Sequence, residues 1–270
     1  MKKIFLSIDV ESDWGGRLKA TQDNCQGIKI IIPKLLHFFN DEKIKCNFFI
    51  STNILTEFKG LIQEMAHDGH EIASHGKNHL LNFDTADFLT VKDEIYQSKI
   101  ELEEIITSKI YGFRAPQFRN FPGLYDLLEK MGYLYDSSIV SKKIYLPYQL
   151  NQSSNPYSIG QLYEFPVSRM MFFNFPMGFL WINILGVKTF ISIFKQHYLS
   201  KKVDYLTIYL HPFDLLCTKD NSKTNLLVPK VFYNYNNKNL FNNFKELISF
   251  FKTYNFNFEN FSSHVINKKK

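Results

Sequence analysis

Short apolar runs that end in a charged or polar residue alternate along this chain with amphipathic segments of helical period. The first run holds Ile4, Phe5, Leu6 and Ile8 and stops at Asp9. A buried parallel strand with chemistry at its C-terminal end reads this way. Ile28, Ile31, Ile32, Leu35, Leu36 and Phe39 then recur at helical spacing over 28–41. Cys46 to Ile50 predicts a second strand, 54–68 a second helix stopped by Gly69, and His70 to Ser74 a third strand. A long amphipathic helix over 87–108 follows, then a strand at 110–114, a helix at 122–131 stopped by Gly132, and a strand from Tyr133 to Asp136. The alternation continues more weakly through 162–167, Tyr205 to Leu210 and a helix at 238–252. Strands alternating with helices imply an α/β fold with a parallel sheet and right-handed crossovers. No internal repeat is evident. The stretch 218–239 reads as an exposed loop, and Lys268-Lys269-Lys270 as a frayed end.

The polar residues of interest fall where the predicted strands end: Asp9, His75, Arg114, Asp136 and His211. Among them, Gly69-His70-Glu71-Ile72-Ala73-Ser74-His75-Gly76-Lys77-Asn78-His79 is the most informative segment. Histidines four residues apart meet on one face of a helical turn, so both imidazoles can reach one metal ion. A third, anionic ligand would hold a divalent ion and leave a position open for water. Leu6-Ser7-Ile8-Asp9-Val10-Glu11-Ser12-Asp13 offers one. Together these segments point to a metal-dependent hydrolase.

Composition narrows the picture only slightly. A chain of 270 residues with 45% hydrophobic and 21% charged positions can bury the core of one domain spanning 1–270. The net charge of +6 permits attraction to phosphates or an anionic membrane face, but no motif supports nucleic-acid binding. Cys25, Cys46 and Cys217 are odd in number and far apart, which argues against a disulfide scaffold. The N-terminus has no apolar h-region, so a cytoplasmic protein is expected.

Four segments in order carry a resemblance: Ser7-Ile8-Asp9-Val10-Glu11, Gly69 through His79, Gly112-Phe113-Arg114-Ala115-Pro116, and Leu210-His211-Pro212. Over about residues 3–215 they resemble the motifs of the polysaccharide deacetylases, the family-four carbohydrate esterases homologous to the chitooligosaccharide deacetylase of nodulation. The resemblance implies a distorted (β/α) barrel of about seven parallel strands, with the active site at the strand C-terminal ends and 216–270 completing the barrel as a loop and helix. The subgroup it is most similar to has an Asp-Val-Glu first motif and occurs in surface-polysaccharide gene clusters. The commoner form has adjacent aspartates, the first a catalytic base and the second a metal ligand. Carried over by position, Asp9 is the base and Glu11 the ligand, with His75 and His79 completing a set suited to Zn²⁺. Asp13 lies close enough to compete with Glu11.

By the same resemblance Arg114 holds Asp9 ionised, its guanidinium fork suited to bidentate binding of a carboxylate, and His211 is the general acid toward the leaving nitrogen. Asp136 either orients His211 or lines the sugar site, and Asp214 competes as the partner of His211. His70 reads as structural, Glu164 as a sugar contact or a cap, and Trp14 as a sugar-stacking face or a packing residue. The apolar stretch 170–194 has one charge, Lys188. It reads as a barrel helix plus a hydrophobic loop, or as a peripheral membrane contact that meets a lipid-linked saccharide at the inner face of the membrane. A transmembrane helix is not expected. The implied activity is removal of an N-acetyl group from an amino sugar in surface-polysaccharide or lipid-linked glycan biosynthesis. A deformylase or allantoinase-like amidohydrolase on the same site, and a catalytically dead saccharide-binding protein, are the alternatives.

Overall fold

The computed structural model describes residues 2–16, 25–83, 85–141, 155–170, 175–197, 203–216 and 239–269. The first strand, β1 (Lys2–Val10), lies inside the sheet rather than at its edge. It pairs in parallel with β2 (Asn47–Ile50) on one side and β8 (Tyr205–Leu210) on the other. From β2 the sheet continues through β3 (Glu71–Ser74), β4 (Gly112–Phe113), β5 (Tyr135–Asp136) and β7 (Leu162–Glu164), all parallel. β6 (Tyr157–Ile159) adds an antiparallel edge on β7. The far edge of β8 meets the chain beyond β7, where Ser168 N donates to Thr207 O at 2.9 Å and Tyr209 N to Met177 O at 3.3 Å. The sheet thus curls into the expected distorted barrel, with seven parallel strands forming its wall.

Between the strands lie α1 (Gln26–Glu42), α2 (Leu55–His67), α3 (Phe88–Ile106) and α4 (Leu124–Lys130), within a few residues of the boundaries that periodicity predicts. The stretch 170–194 contributes α5 (Phe179–Leu185) and α6 (Val187–His197), while 171–174 lie outside the described residues, as does the loop expected over 218–239. Among the described residues no helix is long and apolar enough to cross a membrane.

Strand alternation sorts the side chains into two layers. On β1, Ile4, Leu6, Ile8 and Val10 join the large cluster under the helices, whereas Phe5 belongs to a second cluster inside the barrel. Ser7, Asp9 and then Glu11 therefore rise above Phe5 along the inner wall. That inner cluster of Phe5, Phe49, Ala73, Tyr135 and Phe165 is completed from the C-terminal end of the chain by Phe261 and Val265.

Here the structure departs from the expected loop and helix. The C-terminal part holds α7 (Leu240–Thr253), a short strand β9 (Phe256–Phe258) paired with β1, and α8 (Phe261–Lys269). Lys268 and Lys269 close that last helix and are not a frayed end. α8 plugs the barrel at the N-terminal ends of its strands, with Phe261 stacked on Phe5 at 4.9 Å. Two barrel residues satisfy its first backbone donors: Phe261 N donates to Asn47 Oδ1 at 3.0 Å and Ser262 N to Glu71 Oε2 at 3.0 Å.

Glu71 does this from a buried position, and burial pushes its carboxyl up to about 7 despite the stabilising bonds from Ser262. A carboxyl raised above its unfolded value of 4.5 lets the folded chain hold a proton that the unfolded chain has lost. Stability therefore falls as pH rises from about 4.5 to about 7 and stays reduced above that. Glu71→Gln keeps an acceptor for Ser262 and removes the charge. Its unfolding free energy, read by denaturant titration, should match wild type at pH 4 and exceed it at pH 8 by up to about 3 kcal/mol. Equal stabilities at pH 8 would show that the carboxylate is not strained by burial.

Candidate metal centre

Glu11, His75 and His79 converge at the C-terminal mouth of the barrel, all buried, each offering one ligand atom within 4.8 Å of the others. Glu11 Oε2 lies 2.6 Å from His79 Nε2 and 3.6 Å from His75 Nε2. Even so, it has no hydrogen-bonding partner of good geometry among the described residues. A buried oxygen crowded by two imidazole nitrogens that do not donate to it is the arrangement a shared cation would satisfy. Burial alone would raise the Glu11 carboxyl. The charge of His211, behind the two imidazoles, works the other way and favours the carboxylate form.

The expected helical turn is not the means of convergence. Residues 75–79 are irregular, and Gly76 turns the chain with φ +71°. His75 lies one residue past β3, in line with the inward residues of that strand. Its Nδ1 sits 2.8 Å from the Arg114 carbonyl, which fixes the proton on Nδ1 and leaves the Nε2 lone pair facing Glu11. His79 comes back to the same point from the loop, its ring flat against Gly15. A Cβ on Gly15, whose φ is +67°, would meet His79 Nδ1 at 2.8 Å.

Asp13 is committed elsewhere. Both of its oxygens accept from Gly27 N, at 3.0 and 3.2 Å, so it caps the first turn of α1, where Cys25 supplies no side-chain cap. Of the two candidate acids, Glu11 alone joins the histidines.

Beside this cluster lies a buried charge pair. Arg114 is 0% exposed and reaches Asp9 Oδ1 through Nη1 at 2.5 Å. The contact is single rather than the bidentate fork expected, because the other donors have other partners. Nη1 also donates to Ser7 Oγ at 3.0 Å, Nη2 to Ser137 Oγ at 2.8 Å and Nε to the Ser137 carbonyl at 3.0 Å. The guanidinium lies 4.0 Å from the centre of the Phe49 ring.

His211, one residue past β8, presents Nε2 3.6 Å from Glu11 Oε1, with Nδ1 3.4 Å from Asp214 Oδ2. Burial would lower its pKa, but the Asp214 carboxylate and the charges of Glu11 and Asp9 raise it to about 9. A cation bound among the ligands would draw that value down.

Asp136 does not orient His211. Tyr135 points into the barrel, so its neighbour Asp136 points out, where it accepts from Ser138 Oγ at 2.7 Å and Ser138 N at 3.1 Å. Glu164 joins it there, accepting from Ile139 N at 3.1 Å, and burial next to Asp136 pushes its carboxyl well up. Trp14 packs on Phe213 at 4.8 Å, which fits its packing reading. His70 accepts from Cys46 N at 3.1 Å between the Phe39 and Phe48 rings, as its structural reading expects. Ser7, Ser137 and Gln117 escaped the sequence reading. Only the inward parity of Ser7 with Asp9 could have signalled any of them.

Comparison with known proteins follows the same line. Residues 19–135 match the family model for polysaccharide deacetylase. That match covers under half of the chain and makes this segment similar to the polysaccharide deacetylases. Solved structures of this fold resemble it at low identity. A protein of Pseudomonas aeruginosa PAO1 described as a probable polysaccharide deacetylase shares 16% identity and a TM-score of 0.64, over 97% of this chain and 89% of its own. Puue allantoinase shares 15% and 0.66, over 97% and 89%. A carbohydrate esterase family-four pseudoenzyme from Bacillus anthracis shares 11% and 0.55, over 98% and 65%. At these identities the likeness concerns the fold. No curated protein matches the chain.

The two acids of this site can be separated by experiment. Glu11→Gln should weaken Zn²⁺ binding to the metal-free protein by more than the roughly 100-fold typical of losing an outer-shell partner. Asp13→Asn, which preserves a good cap, should leave Zn²⁺ affinity unchanged and cost under about 1 kcal/mol of stability. Calorimetric titration with Zn²⁺ reads both, and the reverse order would make Asp13 the ligand.

Proposed function

We propose that the protein is a metal-dependent N-deacetylase that removes the acetyl group of an acetamido sugar during surface-polysaccharide or lipid-linked glycan biosynthesis. One observation carries the reading: an N, N, O ligand set shares the barrel mouth with a buried Asp–Arg pair and an Asp-supported histidine. Zinc suits that ligand set. A divalent ion held by Glu11, His75 and His79 would acidify a water and polarise the amide carbonyl.

The chain's own residues supply the proton traffic. Asp9, oriented by Arg114, accepts the proton of the attacking water. His211, kept cationic by Asp214, gives a proton to the departing amine nitrogen. The two groups stand on the neighbouring strands β1 and β8, both at the mouth where a substrate would enter. In the stretch 170–194, Phe175 and Ile184 stay exposed, and Phe175 stacks on Trp181 at 4.2 Å. This apolar surface supports a contact with the carrier of a lipid-linked saccharide. The fold likeness to an allantoinase favours one second reading, hydrolysis of a cyclic amide on the same residues.

The test is acetate release from acetamido sugars, free, nucleotide-linked and lipid-linked, by zinc-loaded protein, with allantoin ring opening measured in parallel. Asp9→Asn should keep its zinc and lose activity by about 10²–10⁴-fold. Its thermal stability should also fall, because Arg114 then keeps a buried charge without a counter-charge. Full activity in Asp9→Asn would remove Asp9 as the base. Ring opening without acetate release would move the reading to the cyclic amide.

A further inference from the structure

Two of the metal-facing imidazoles are held very differently. His75 is fixed through its own ring by the Arg114 carbonyl. His79 Nδ1 is buried and has no hydrogen-bond partner among the described residues. Apart from the Glu11 and His75 side chains that the ring faces, contact with Gly15 and the position of its main chain set its rotation. That main chain is held at one atom, the His79 carbonyl, which accepts from Gln117 Nε2 at 3.0 Å. Glu94 on α3 fixes the loop one and two residues earlier, accepting from Asn78 N and Lys77 N.

Gln117 makes this bond from an unusual backbone. Gln117 and Phe118 are consecutive non-glycine residues in the left-handed region, with φ +57° and +56°. Such conformations persist only where the surroundings impose them, and they concentrate at functional sites. Here the turn follows Pro116, two residues after Arg114, and it sets Phe118 edge-on to Tyr209 at 5.1 Å. One short segment thus carries Arg114, which holds Asp9, the carbonyl that orients His75, and the amide that holds His79.

We propose that Gln117 is a positioning residue for the metal centre: it spends backbone strain to hold the His79 carbonyl so that the otherwise untethered imidazole faces Glu11 and His75. The inference rests on His79 being a ligand, as the proposed function has it. It assigns to Gln117 a role in metal affinity that its sequence position between Pro116 and Phe118 does not announce.

The experiment uses full-length, metal-free protein and Zn²⁺ alone, titrated in competition with a chromophoric chelator, beside the thermal midpoint of the same samples. Gln117→Met keeps the length and the strained backbone but removes the donor. Gln117→Gly removes the donor and relieves the strain. Both should bind Zn²⁺ about tenfold more weakly, as loss of an outer-shell partner does. Gln117→Gly should show no lower midpoint than wild type. Zinc affinity within about twofold of wild type in both variants would overturn the proposal, since outer-shell losses normally exceed that. So would a midpoint that falls with affinity in Gln117→Gly, since the residue would then only stabilise the fold. His79→Ala separates the two levels of argument. If it binds zinc like wild type, the metal-site reading fails; if it loses zinc while the Gln117 variants keep it, only the positioning role fails.

Discussion

A guanidinium with no exposed surface must find every partner inside the protein, and around Arg114 the whole barrel mouth is arranged to provide them. Removing such a charge from water costs several kcal/mol unless its donors are taken up and a counter-charge is close. Asp9 supplies the charge, Ser7 and Ser137 the remaining acceptors, and Phe49 a ring face. These come from β1, from β2 and from the end of β5, so the ion pair can form only when those strands are in register. The backbone of the same residue then fixes the tautomer of His75. Asp9 and His75 are consequently not independent features that happen to be close. They are set by one desolvated side chain and its own carbonyl.

What the sequence disclosed follows from parity along strands. Phe5, Ser7, Asp9 and Glu11 share one face of β1 and its extension. Ala73 and His75 do so on β3, Gly112 and Arg114 on β4, and Tyr209 and His211 on β8. Long apolar strands that end in a single polar residue make that face readable, which is why Asp9, His75, Arg114 and His211 could be placed at the barrel mouth from the chain alone. β5 is only two residues long, and nothing in Tyr135-Asp136 says which of the two points inward. Tyr135 takes the interior and Asp136 turns outward to Glu164 and Ser138, leaving Asp214 as the partner of His211.

Other misses were of a different kind. The i, i+4 spacing of His75 and His79 suggested a helical turn, yet Gly76 breaks it, and the two rings still meet because tertiary bonds hold the loop. Spacing gave the right neighbours by the wrong local geometry. Asp13 looked like a ligand because its real task depends on Gly27, fourteen residues away, and on how the start of α1 packs. The end of the chain was underread because β9 has three residues and α8 is polar over most of its length, so neither leaves a strong periodic signal.

That underread end bears on the order in which the molecule can be made. Three strands pair with β1, and two of them, β8 and β9, follow it by roughly 200 and 250 residues. α8, which fills the barrel floor beneath Phe5, follows β9. Until it docks, Phe5 lacks its plug and the lower barrel stays open to water. Pairings this distant in sequence slow folding, because a long loop must close before any contact repays it. The acids and imidazoles at the mouth are therefore brought together only when these distant segments close on β1.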